Sequence, residues 1–290
     1  MNDNQLKKYL IIAFAAGWLM QIAASLLLPS MGTAVFQAIV ALSMFTPTLA
    51  AVLSGHSLQT LGWKPEFKGK GRYYLCAWFL PGLLTVLGYL LFLAVFPKSF
   101  DLSGSSMIAA VGQEAYDALL AQGFNYTGYI LSAVVQTLLF IPLINMFPAL
   151  GEEIGWRGVM TPALIRKYGE TKGVLIAGVI WGIWHWPLII LAGYEYGTGY
   201  PGAPFTGILL FCVIATALGI LHFWLYEKTG NILVPSLFHG SFNAWATLPM
   251  AVTSAAYLNH RLLGPAPVGI LAAMPLLAAA WFILHRKAKQ

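Results

Sequence analysis

The sequence predicts an all-α fold: a polytopic bundle of about eight membrane-spanning helices with both termini cytoplasmic. Three observations carry that expectation. Of 290 residues, 59% are hydrophobic and only 9% charged, with a mean hydropathy of +0.73; soluble domains carry roughly 25% charged residues. Eight apolar runs, near 9–28, 34–54, 74–96, 128–149, 173–192, 205–226, 232–250 and 266–284, are long enough, or nearly so, to cross about 30 Å of hydrocarbon. The basic residues are also unevenly shared between the intervening loops. With both ends inside, Lys7, Lys8, Lys64, Lys68, Lys70, Arg72, Arg157, Arg166, Lys167, Lys172, Lys228, Arg286, Lys287 and Lys289 fall on the inner side, against Lys98 and Arg261 outside. That bias requires an even number of spans, and the expected location is the bacterial cytoplasmic membrane.

The net charge of +6 therefore reads as a topology signal and not as the footprint of a nucleic-acid binder. Cys76 and Cys212 both lie inside apolar runs, where they read as small buried hydrophobes without a disulfide framework. No polar stretch is long enough for a separate soluble domain. The chain reads as one integral membrane domain: N-terminal spans and an outer-surface loop over 1–127, a core over 128–250, and a last span with a basic tail over 251–290.

In chain order, the first apolar run follows Lys7-Lys8, but its length of about 20 residues is that of a retained span and not of a 7–15-residue signal core. The loop at 98–127 places Met107, Ile108, Val111, Ala115, Ala118 and Leu119 near helical spacing, which predicts one short amphipathic helix on the outer interface. Pro148 predicts a break at the end of the fourth span, followed by a new helix from Glu152 to about Arg166 whose first-turn acids face the positive end of its dipole. The Gly-, Tyr- and Pro-rich loop at 193–204, with Tyr194, Tyr196 and Tyr200, suits an interfacial aromatic belt. The seventh run is interrupted by Pro235, His239, Asn243 and Pro249.

Ionisable groups inside a membrane are costly and persist where they pair, line a wet cavity or do chemistry. Glu152 and Glu153 sit between apolar runs. On a helix Glu153 and Arg157 are i and i+4, the spacing of an ion pair, whereas Glu152 points about 100° away and keeps a free carboxylate for a proton, a water or a metal. Trp181 and His185 share a face of the fifth run, and His239 and Asn243 share a face of the seventh. Such a pair can bind a metal or hold a developing oxyanion. His222, near the inner end of the sixth run, reads as an ordinary hydrogen-bonding group.

Glu-Glu-x-x-x-Arg (Glu152, Glu153, Arg157), aromatic-x-x-x-His (Trp181, His185) and His-x-x-x-Asn (His239, Asn243) resemble, in order, the three motifs of the CPBP family. These are the CAAX proteases and bacteriocin-processing enzymes, also called the Abi family. The likeness spans roughly Pro148 to Thr247, with Trp181 where many members carry Phe. The resemblance implies an intramembrane endopeptidase in which Glu152, helped by His185, activates a water. His239 and Asn243 then steady the tetrahedral oxyanion, and Glu153, Arg157 and Trp181 support the site. The implied partner is a membrane-associated peptide or lipidated protein tail, and the implied cavity is hydrated and open to the cytoplasm. Metal use stays open: Glu152, His185 and His239 form a possible His₂Glu zinc set with an open position, yet they come from three segments, and the balance leans slightly against tightly held zinc. Two other readings compete. One is a non-catalytic immunity or scaffold protein of the same family. The other is a proton-coupled transporter, which predicts broken helices in both halves, whereas the polar groups lie in the second half alone.

Overall fold

A computed structural model describes residues 2–287, and within them the chain is a bundle of helices. Lys289 of the predicted basic tail lies outside the described residues. The first element, α1 (Asp3–Ser43), is capped by Asn2, whose side chain accepts from the amide of Gln5. It is not straight. Gly32 takes a left-handed φ of 78°, which ends one helix and starts another. An unbroken helix would hold Gln5 and Gly55 about 75 Å apart. Instead a Cβ added to Gly55 would lie 3.8 Å from the Gln5 side-chain nitrogen. The first two predicted spans thus form an antiparallel hairpin, closed by α2 (Thr46–Leu53).

Helix α3 (Gly71–Val95) follows. The single amphipathic helix expected in the next loop is two: α4 (Ser105–Val111) and α5 (Gln113–Ala121), split by Gly112 at φ 88°. Their anchor is Tyr116, packed with Tyr126 and Ile130; of the expected face Met107 and Ile108 pack against this cluster, whereas Val111, Ala115 and Ala118 are exposed. Helices α6 (Tyr126–Leu139) and α7 (Ile141–Glu153) meet at Phe140 with a 60° bend. Pro148 does not break α7 as expected. The break falls at Phe140, ahead of Pro142, and Pro148 is carried inside the helix, where neighbouring helices compensate for its missing amide. Glu152 and Glu153 consequently close α7 instead of opening a helix, so no dipole at a first turn acts on them. The chain continues through a π-turn (Ile154–Met160) into α8 (Thr161–Tyr168).

The fifth predicted span is broken at His185 into α9 (Glu170–Trp184) and α10 (Trp186–Ala192), where Pro187 cannot continue the hydrogen-bond ladder. Helix α11 (Phe205–Thr229) matches the sixth span closely. The seventh is α12 (Leu233–Ala246) plus a turn, α13 (Leu248–Ala251), and the last helical stretch, α14 (Met274–Lys287), starts eight residues later than expected, after turns. By length and composition four helical stretches among the described residues can cross a membrane, with the bent α6–α8 pair as a fifth. The eight-span count counted the hairpin as two and included the two shorter helices.

Contacts gather the basic loops at one end of the bundle. Lys167 pairs with Asp3 at 2.9 Å, Lys70 donates to the Thr229 carbonyl at 2.8 Å, and the Asn231 carboxamide donates to the Lys64 carbonyl at 2.8 Å. At the opposite end Asp101 and Ser254 bond to Val252 and Ser99. Arg157, counted among the inner loop charges, is instead buried in the core. Large apolar side chains on the outer surface, such as Leu19, Leu83, Leu209 and Phe147, are more than half exposed, as a lipid-facing perimeter requires.

Small residues set the closest approaches. A Cβ at Gly182 would lie 2.6 Å from the Cα of Cys212, one helical turn from a similar contact of Gly178 with Thr216, so α9 and α11 meet backbone to backbone. Gly151 and Gly155, flanking the two acids, do the same for α2: their added Cβ atoms would collide with Phe45 and Pro47. Gly155→Ala should therefore push the N-terminal hairpin off the core and cost about 1–3 kcal/mol. A melting temperature unchanged in detergent would contradict that packing.

Candidate active site

The π-turn after Glu153 widens the helix just where the two acids diverge. Wide turns of this kind recur at functional sites, and here Thr161 caps it by donating to the Trp156 carbonyl at 2.8 Å. Both carboxylates are buried, at 2% and 0% exposure for Glu152 and Glu153. Their environments differ completely.

Glu153 is the centre of a buried ionic network, in which its own Oε2 and His222 Nε2 take no partner among the described residues. Its Oε1 accepts from Arg157 Nη1 at 3.1 Å and from His239 Nδ1 at 2.8 Å. Arg157 Nη2 is 2.9 Å from His222 Nδ1. Because a guanidinium can only donate, His222 Nδ1 accepts, so His222 is neutral and carries its proton on Nε2. The guanidinium also stacks 4.0 Å over the Trp181 ring. The expected i, i+4 pair is present, but His222 belongs to it as well, linked through Arg157. Nothing in the one-dimensional pattern ties residue 222 to residue 157.

Glu152 is held by indoles. Its Oε2 accepts from Trp181 Nε1 at 2.5 Å and from Trp156 Nε1 at 3.1 Å, and Oε1 takes no protein donor among the described residues. Trp181 thus supports the site in two ways, as a donor to Glu152 and as a platform for Arg157. Trp156 was missed in the sequence, although Glu152 and Trp156 stand i and i+4.

His185 caps the end of α9 and has Nδ1 2.9 Å from the Trp181 carbonyl. A carbonyl can only accept, so the proton is on Nδ1 and the Nε2 lone pair is free. His239 likewise turns Nδ1 toward Glu153 and leaves Nε2 unused within the network.

Glu152, His185, His239 and Asn243 all line one cavity of about 70 Å³. A single water needs about 10–15 Å³ by this measure, so the cavity has room for a few. Asn243 also lines a second, larger groove of about 410 Å³ between α6, α7 and α12, together with Gln136, Thr137 and Asn145.

The sequence reading opens the cavity toward the basic end of the bundle, but its lining runs the other way. Tyr194 and Glu195 from the 193–204 loop line it, together with Val268, and these belong to the opposite end. Tyr194 therefore faces the site and not an aromatic belt. Glu195, absent from the sequence reading, is a third carboxylate at this cavity and takes a left-handed φ of 66°, which side-chain-bearing residues adopt rarely. Burial pushes its carboxyl above the usual carboxylate range, against a hydrogen bond from Tyr194 and the charge of Arg261. An acid within a Gly- and Tyr-rich loop was the sole sequence signal.

The compact group of possible metal donors is not the expected one. Glu153, His222 and His239 have ligand atoms within 4.8 Å of one another; Glu152, His185 and His239 form no such group among the described residues. Two of the three compact donors already accept from Arg157, so a cation there would sit against a guanidinium. These residues do not fit a zinc ion.

The family comparison bears on this same stretch. Residues 124–245 match the family described as type II CAAX prenyl endopeptidase, Rce1-like. This central stretch of the chain is therefore similar to CAAX prenyl endopeptidases. All four cavity residues of the motifs lie inside the match. A CAAX prenyl protease 2 from Methanococcus maripaludis is 30% identical to this chain over 108 residues. The aligned stretch covers 36% of this chain and 39% of the relative, so it spans well under half of either.

Proposed function

We propose that this protein is an intramembrane endopeptidase that hydrolyses a peptide bond near the end of a membrane-associated peptide or lipidated protein, by a water activated between Glu152 and His185. The observation that carries the reading is the shared cavity: four polar side chains from three helices meet there, and each retains an unused atom for substrate or water.

The division of labour follows from hydrogen bonds. Glu152 Oε1 accepts a proton of the water, while the two indoles on Oε2 hold the carboxylate in place without supplying a counter-charge. His185 Nε2 shares that water, its orientation set through Nδ1 and the Trp181 carbonyl. As water attacks the carbonyl carbon, its π electrons move onto the oxygen. The Asn243 carboxamide donates to that oxyanion. His239 donates from Nε2 when both ring nitrogens are protonated, with Nδ1–H remaining on Glu153. Collapse breaks the C–N bond, and the proton taken by Glu152 passes to the leaving amine. No step requires a metal. Peptidase activity should accordingly survive exhaustive treatment with a chelator, and loss of activity that zinc restores would overturn the metal-free reading.

Asn243→Ala tests the oxyanion role. It should lower kcat about 10²–10³-fold with little change in KM, because the donor acts on charge that develops in the transition state. An equal loss confined to KM would move Asn243 into substrate binding, in keeping with its place on the larger groove.

The membrane is proposed to be the bacterial cytoplasmic membrane. With the basic loops inside, the cavity lies near mid-depth and reaches toward the outer face through Glu195. Labelling a Glu195→Cys variant, with Cys76 and Cys212 replaced by Ser, by an impermeant thiol reagent in intact cells decides the side.

A further inference from the structure

A second cavity, of about 420 Å³, lies at the basic end of the bundle, outside the site described above. Three helices meet there: the first turn of α3 supplies Arg72, the last turn of α11 supplies Lys228, and the end of α14 supplies Arg286. Among the described residues no acidic side chain lines it. Two of the cations are braced by aromatic rings: Arg72 Nη2 donates to the Tyr73 hydroxyl at 3.0 Å, and the Arg286 guanidinium lies 4.3 Å over Phe282. Below this rim the lining turns apolar, with Cys76, Trp224 and Ile283.

We propose that this cavity binds one anionic phospholipid, with the headgroup phosphate between Arg72, Lys228 and Arg286 and an acyl chain along the apolar floor between α3, α11 and α14. Three cations from separate helices line this one cavity, and an anion between them would offset their mutual repulsion. A charged rim over an apolar floor matches an amphiphile and not a soluble anion. The place is also right: helix ends with Tyr and Trp mark the headgroup level, and basic pockets between spans on that side bind anionic lipid heads. A lipid here would tie α14 to α3 and α11.

The test uses the full chain in nanodiscs of phosphatidylcholine with or without phosphatidylglycerol. Native mass spectrometry counts the lipid retained and thermal melting reads its effect. Phosphatidylglycerol should raise the melting temperature, inorganic phosphate at equal concentration should not, and one phosphatidylglycerol should stay bound. The triple variant R72Q/K228Q/R286Q should retain at least tenfold less of it. A control with the same charge loss, K64Q/K68Q/R166Q, should retain as much as the parent. Equal loss in both variants would show diffuse attraction and overturn the site; equal stabilisation by inorganic phosphate would overturn the lipid. If the triple variant does not fold, R286Q alone carries the measurement, with a fall in retained lipid of about fivefold expected for one lost contact.

Discussion

Glu152→Gln should leave a folded protein whose peptidase rate is about 10³-fold lower. The substitution preserves shape, and the amide oxygen still accepts from the two indoles that hold Glu152 Oε2 at 2.5 and 3.1 Å. What disappears is the unshared carboxylate oxygen facing the cavity, hence the base. Purified wild-type and variant protein, compared on one membrane-anchored peptide, provide the measurement, with melting temperatures as the control for folding. His185→Ala should fall by a similar order, and the double variant should fall little further, since both act on one water. Activity retained by Glu152→Gln would sink the assignment of the base. Losses that simply multiply would separate the two residues.

Arg157→Met should produce the largest loss of stability of any single change considered, about 3–5 kcal/mol. The side chain is 2% exposed, and its guanidinium neutralises Glu153, donates to His222 and covers the Trp181 ring. Without it, a carboxylate with no solvent contact faces two imidazoles. The expected readout is poor recovery from the membrane or a strongly lowered melting temperature. Arg157→Lys should rescue only part, because one ammonium cannot reproduce the planar fork that spans Glu153 and His222. Removing the orphaned charge with Arg157→Met/Glu153→Gln should recover stability but not activity, since His239 would lose its carboxylate. A double variant no more stable than the single one would refute the network as the cause.

These two experiments separate what Glu152 and Glu153 do, and neighbouring positions in the chain hide how different they are. Their i and i+1 relation turns one toward the indoles and the cavity and the other toward Arg157. That much was legible from helical geometry, as was the Glu153–Arg157 pair at i, i+4. The pairing of Glu153 with His239 was not, since 86 positions separate them. The partner of His222, read only as a hydrogen-bonding group, and the place of Glu195 were hidden for the same reason. A histidine in an apolar run and an acid in a loop carry no mark of their partners until helices pack. One error had a local cause. Proline was taken as a break at Pro148, yet a membrane bundle tolerates it there, while the chain bends at Phe140 and at His185 instead.

By itself the sequence determined the class of the protein and singled out the residues proposed for its site. Apolar runs of span length force backbone groups to bond within helices, because lipid offers no other partner. Rare polar groups at helical spacing then identify the faces that must turn inward. Only the tertiary structure decided which of those groups touch, which tautomers the histidines adopt, how the N-terminal run folds back at Gly32, and which end of the bundle the cavity reaches. Those outcomes depend on contacts between distant segments, set by close glycine packing and by the need to neutralise a buried guanidinium, and neither is a property of any local stretch of chain.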